Sequence, residues 1–91
     1  MKNYETVFIL NPALSEEQVQ KTVDKYEKSL KSNGAKITNK EVWGLKKLAY
    51  TIENKNSGFY NLLEYTAPAE IVSSLELEFS RDETVMRYLT V

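Results

Sequence analysis

A chain of 91 residues has room for one small core, and folding at that size hides only about 60 to 65% of the unfolded surface, so residues 1–91 are expected to form a single domain held by packing. The sequence has no Cys and no His, which excludes a disulfide framework, a thiolate or imidazole metal site, and both the commonest general base and the thiol nucleophile. Its formal net charge of −1, from 12 basic and 13 acidic residues, argues against a chain that grips nucleic acid by charge alone.

The opening MKNYETVFIL holds one Lys and then an acid inside a short apolar run, with no small-residue cleavage site after it. It reads as a strand rather than a signal peptide, and no apolar run of about 18 residues is present to span a membrane as a helix. A soluble, cytoplasmic protein is expected. Residues 2–10 alternate weakly and are rich in Tyr, Val, Phe and Ile, a first strand closed by Asn11 and Pro12. LSEEQVQKTVDKYEKSLKSNG then predicts a helix: Ser15 and Gln18 make a capping box, Leu14 can staple onto Val19, and Gly34 supplies the stop. Val19, Val23, Tyr26 and Leu30 fall on one stripe. Glu17 with Lys21, Asp24 with Lys28 and Glu27 with Lys31 are acid-first i,i+4 pairs worth about 0.2 to 0.5 kcal/mol each, a solvated face.

Residues 35–52 read as one long extended segment, followed by a turn over 53–58 (ENKNSG) and a strand over 59–65, together a hairpin. Pro68 opens a second helix in which Ile71, Leu75 and Phe79 recur every fourth residue and Val72 widens the stripe. Residues 85–91 form a last strand. The order β-α-β-β-α-β predicts an α+β, ferredoxin-like fold: a four-stranded antiparallel sheet with both helices on one face. The other face is then bare, yet neither side of the strands is polar. Tyr4, Thr6 and Phe8 alternate with Glu5, Val7 and Ile9, and Tyr60 and Leu62 alternate with Phe59 and Leu63. Either part of that apolar surface meets a partner or it is a scatter of exposed groups.

No catalytic constellation emerges, and no cofactor, metal or small-molecule substrate is expected. The serines lie in no nucleophile-elbow context, and Gly34, Gly44 and Gly58 are too far apart for a phosphate-cradling loop. Asp82 and Glu83 read as solvated charge at a helix end. An acylphosphatase-like hydrolase would need an Arg in the first β-to-α loop, where NPALS has none. An RNA-recognition motif fits poorly too, because SGFYNLLEY has Tyr60 where a small residue belongs and Asn61 where an aromatic belongs. Phe59 and Tyr65 then read as hairpin packing residues.

Charge is unevenly distributed. Residues 36–55 hold five lysines against two acids, a balance of +3, and residues 68–83 hold five acids against Arg81, a balance of −4. Within the first region, WGLKKLAYTI breaks the pattern of a buried strand. Lys46, Leu48 and Tyr50 alternate with Lys47, Ala49 and Thr51, so both lysines cannot face a core, and Gly44 permits a bulge just before them. A hairpin arm overhanging the core would let both ammonium groups reach outward beside the flat rings of Trp43 and Tyr50, an arrangement suited to phosphates and bases. Lysines that guard an edge strand against pairing explain the same residues. Lys2, with Tyr4 beside it, and Arg87 stand on strands that are neighbours in this order and are expected to approach each other, extending the cationic strip.

Four blocks taken together resemble the bacterial ribosomal small-subunit protein number six (S-six) family over essentially the whole length: MKNYETVFILNP, WGLKKLAYTI, GFYNLLEY and VMRYLTV. Lys stands at positions 2, 46 and 47, where Arg is frequent in the family, and meets phosphate as a point charge rather than a fork. The chain stops at Val91 without the longer tail of some members. The resemblance implies a non-catalytic structural constituent of the small ribosomal subunit. It also implies binding to the central domain of small-subunit ribosomal RNA together with small-subunit protein number eighteen, a basic chain. The competing reading is a standalone protein-interaction domain that dimerises through its sheet.

Overall fold

Alternation gives every strand two faces, and the computed structural model, which describes residues 1–52 and 54–91, shows which face the helices take. The elements β1 (Lys2–Leu10), α1 (Glu16–Ser32), β2 (Lys36–Ile52), β3 (Lys55–Ala67), α2 (Ala69–Arg81) and β4 (Val85–Thr90) follow in the expected order. The strands form one antiparallel sheet ordered β2-β3-β1-β4. Phe8 of β1 meets both Tyr26 of α1 (ring centroids 5.7 Å) and Phe79 of α2 (5.1 Å), so both helices cover the same face.

Local chemistry sets the helices. Ser15 Oγ accepts from the Gln18 amide at 3.2 Å while Gln18 Oε1 accepts from the Ser15 amide at 2.8 Å, which satisfies two otherwise free donors. Val19, Val23, Tyr26 and Leu30 are buried beneath α1, and Leu75 and Phe79 beneath α2, with Ile71 and Val72 at the rim of the core. Leu14 packs against the same cluster.

Several expectations are corrected. β3 runs from Lys55 to Ala67 instead of 59–65: Lys55 already pairs with Ile52, and Asn54 takes a left-handed φ of 64°, which Asn tolerates better than most residues. Glu53, part of the expected turn, lies outside the described residues. Pro68 is the cap and Ala69 the first helical residue. Asp24 pairs with Lys40 of β2 at 3.6 Å rather than with Lys28, because Lys40 projects toward α1 and also reaches Glu27 at 3.3 Å. Tyr65 packs under the helices and not within the hairpin; its hydroxyl lies 2.9 Å from Thr6 Oγ1, itself 2.9 Å from Thr90 Oγ1.

Candidate functional site

The helix-free face of the sheet is shaped by irregularities in β2. Its register with β3 slips between Ile37 and Asn39 and again between Val42 and Gly44, where Gly44 adopts φ +81°. Only glycine takes that conformation without a steric penalty. At the second slip the strand turns Trp43 onto the open face, where its ring stacks on Tyr60 at 6.3 Å and 16°. Trp43 Nε1–H donates to Glu41 Oε1 at 2.9 Å, and Asn39 Nδ2 donates to Glu41 Oε2 at 2.9 Å. The indole is held in place yet 42% exposed.

Beyond Gly44 the hairpin outruns β1. Leu10 pairs with Phe59, the last such pair, while Lys46 pairs with Gly58 and Lys47 with Ser57 further out. From there the register jumps to Ile52 opposite Lys55. The tip, with this slack, bends back over the open face instead of simply overhanging the core. Leu48 becomes buried and, with Val7, Ile9, Tyr60 and Leu89, lines a cleft of about 350 Å³. The Arg87 guanidinium donates to the Tyr50 hydroxyl, and its carbon lies 5.5 Å from the centre of the Tyr50 ring. This contact latches the arm to β4. Lys46 and Lys47 stay exposed, and neither is in an ion pair among the described residues.

The expected approach of Lys2 to Arg87 does not occur. Arg87 pairs with Ile9, whereas Lys2 pairs with Ala67, seven residues back along β1, or about 23 Å at ~3.3 Å per residue. The strands are neighbours, but antiparallel register carries the two residues to opposite ends of the sheet. Tyr4 lies on the helix-covered side, its ring 5.8 Å from that of Tyr65. The structure thus brings Tyr50 of the arm together with Arg87 of β4, carries Trp43, Lys46 and Lys47 exposed along the same strand, and leaves Lys2 and Tyr4 apart. Tyr60, Glu41 and Leu48 complete the surface. Tyr60 was recognisable from its place opposite the core residues of its strand; the others depend on the bulges.

At the opposite side of the molecule, Asp82 is no solvated charge. Its carboxylate accepts from the Thr84 amide (2.9 Å), the Thr84 hydroxyl (2.6 Å) and the Tyr26 hydroxyl (2.5 Å), and Lys25 lies at 3.3 Å. Burial pushes the Asp82 carboxyl up, but the bonds from Thr84, Tyr26 and Lys25 outweigh it and hold the group at about 2. Burial first, then the bond to Asp82, drives the Tyr26 hydroxyl upward. This is a structural clamp at the end of α2. No cluster suited to a metal ion is present among the described residues.

An open antiparallel sheet backed by two helices, with aromatic, apolar and cationic groups on a bent arm, defines a ferredoxin-like α+β domain. The chain belongs to the ribosomal protein S6 family, whose model, described as Ribosomal protein S6, matches residues 3–91. It is 63% identical over 91 residues to the small ribosomal subunit protein bS6 of Christiangramia forsetii, covering 100% of this chain and 81% of that relative. The bS6 protein of Flavobacterium psychrophilum is 62% identical, with 100% and 80% covered. The crystal structure of 30S ribosomal protein S6 from Thermotoga maritima superposes with a TM-score of 0.94 at 26% identity, covering 99% of this chain and 85% of that one. Membership makes the chain a structural, non-enzymatic ribosomal protein of the bacterial small subunit, in the cytoplasm.

Proposed function

We propose that residues 1–91 act as one domain that binds the central domain of small-subunit ribosomal RNA together with small-subunit protein number eighteen, with Lys46 and Lys47 facing phosphate. The observation that carries this reading is the exposed lysine pair on the arm, outside any ion pair among the described residues and next to the half-exposed Trp43. Cations held by no carboxylate can take phosphate in place of its counterions. The two lysines alone, on a chain of net charge −1, supply too little for tight binding, so a basic protein completes the contact. Lys2, remote from the arm, marks a separate contact at the far end of β1.

The test is RNA affinity at several salt concentrations for the ternary mixture, with parent and with Lys46→Ala/Lys47→Ala. The double variant should melt within a few degrees of the parent, bind more weakly, and lose up to about two units of salt slope, roughly one per phosphate contact. Equal affinities and slopes would return the lysines to guarding the β2 edge. A tight complex with RNA at physiological salt without the second protein would remove the need for it. A stable homodimer that persists beside RNA and protein eighteen would favour the dimerisation reading.

A further inference from the structure

Helix α1 ends on an Asn-Gly pair that neither the arm nor the open face uses. Of the Asn residues in the chain, only Asn33 is followed by Gly; every other one precedes a residue that carries a side chain. Asn33 and Gly34 are both exposed. A side-chain amide beside a glycyl nitrogen is set up for closure of a five-membered ring, because no Cβ on the following residue hinders the approach. The fold holds the reacting groups apart. Asn33 caps the helix at φ −94° and ψ 8°, and Gly34 follows at φ +94°. The Gly34 amide donates to the Lys31 carbonyl at 3.1 Å and the Ala35 amide to the Leu30 carbonyl at 3.0 Å, a Schellman end whose Ala35 and Leu30 share the core cluster. Asn33 Nδ2 donates to the Ser29 carbonyl at 2.7 Å. At this ψ the Gly34 nitrogen is turned toward the Asn33 amide nitrogen and away from Cβ, so it reaches Cγ only by rotating. That rotation breaks the bond to Lys31, and the side chain must release Ser29 to meet it. Helix ends open locally at far lower cost than a whole domain.

We propose that Asn33 is a self-modification site, gated by opening of the last turn of α1, at which a neutral amide becomes aspartate or isoaspartate. Base takes the Gly34 amide proton, and the nitrogen attacks Asn33 Cγ. The Cγ–Nδ2 bond breaks, Nδ2 leaves as ammonia with a proton returned to it, and a cyclic imide closes. Water then opens the imide. Addition at Cγ restores the ordinary backbone as aspartate; addition at the main-chain carbonyl carbon leaves the chain running through Cβ and Cγ as isoaspartate. Nothing is oxidised or reduced. Either product puts a carboxylate at the negative end of the helix dipole, facing the Ser29 carbonyl that had accepted from the amide. Isoaspartate also lengthens the link between α1 and β2 by a carbon atom, which shifts Ala35 from its place in the core cluster. The site lies at the opposite end of β2 from the arm and does not depend on the proposed function.

The test is incubation of the full chain in mildly alkaline buffer, folded and in urea, followed by tryptic mapping in mild acid. Cleavage after Lys31 and Lys36 isolates residues 32–36, where exchange of NH for O appears as a mass gain and the two isomers separate by chromatography. In urea Asn33 should be the first amide modified. The folded chain should react at least about fivefold more slowly, because the bonds of the last turn must open first. Ala35→Gly, which takes a methyl from the core cluster and leaves the Asn-Gly pair intact, should recover severalfold of that rate when folded and match the parent in urea. Asn33→Gln, whose longer side chain closes a ring slowly, should show no gain over the same period. No mass gain at residues 32–36 in either state, or an earlier gain at another Asn, overturns the site. Equal rates in the folded and urea-unfolded chain overturn the gate. A folded rate raised as much by Asp82→Asn, which lowers global stability from α2, would show that the whole domain must unfold and overturn the gate as well.

Discussion

Asp82 ties the end of α2 to α1 through Tyr26 and Lys25, and its titration makes that tie measurable. Its carboxyl is held at about 2 against an ordinary 3.8. A depressed carboxyl contributes stability that is fully present above the unfolded value and is lost as pH falls through the folded one. Asp82→Asn should therefore cost on the order of 1 to 2 kcal/mol at neutral pH. The gap to the parent should close between about pH 4 and pH 2, read from urea unfolding at a series of pH values. Gly58 makes a different point. A Cβ there would press into Ile9 Cγ2 and lie 3.2 Å from the Leu10 carbonyl oxygen, whereas one at Gly44 meets nothing within 4 Å. Gly58→Ala should cost about 1 to 3 kcal/mol through overpacking. Gly44→Ala should cost about 1 to 2 kcal/mol through its positive φ alone. Equal melting of parent and Gly58→Ala would mean that β3 slides outward at no cost.

The helices were legible because their signals are local. A capping box lies within four residues, and the 3.6-residue period of Val19, Val23, Tyr26 and Leu30 is set by the helix itself. Leu30 and Leu75 are each 1% exposed, so Leu→Ala at either should cost about 2 to 5 kcal/mol, measured by denaturant titration. β2 was legible only as extended chain. Its slips at Ile37–Asn39 and Val42–Gly44 express its pairing with β3, and pairing is not written in either strand alone. Gly44 signalled that a bulge was possible; that it turns Trp43 onto Tyr60 emerges only with the partner strand in place. The Lys2–Arg87 expectation failed for the same reason, since neighbouring strands were known but their register was not.

At the scale of the molecule, the element order implies a bare sheet face, and the apolar residues on both sides of β1 and β3 leave two readings of it, a partner or a scatter of exposed groups. That much follows from alternation. What the sequence hid is that the arm returns to that face, a geometry set by a contact between Tyr50 and Arg87, 37 residues apart. The local balance of +3 overstates the free charge of the arm: Lys40, one of its five lysines, is engaged by Asp24 and Glu27 across the helix layer. Cations and acids therefore segregate differently from the linear tally. The arm is basic, and the centre of the open face, where Glu5 and Glu64 pair across β1 and β3, is acidic.

The register jump between Lys47 and Ile52 has a kinetic consequence. Residues 48–51 are tied to the rest through Leu48 and the Tyr50–Arg87 contact, whereas the β1–β3 ladder is continuous from Lys2 to Leu10. Amide hydrogen exchange should therefore find two separately opening units: a tip that exchanges within a small fraction of the time needed by the central ladder, and a core that exchanges only when the whole chain unfolds. Tyr50→Phe should hasten exchange at residues 48–51 and leave β1 and β3 unchanged. Equal hastening across both would show the tip to be part of the global unit. If the two are separate, the tip can rearrange on a partner without unfolding the sheet, and its contacts can form after the domain has already folded.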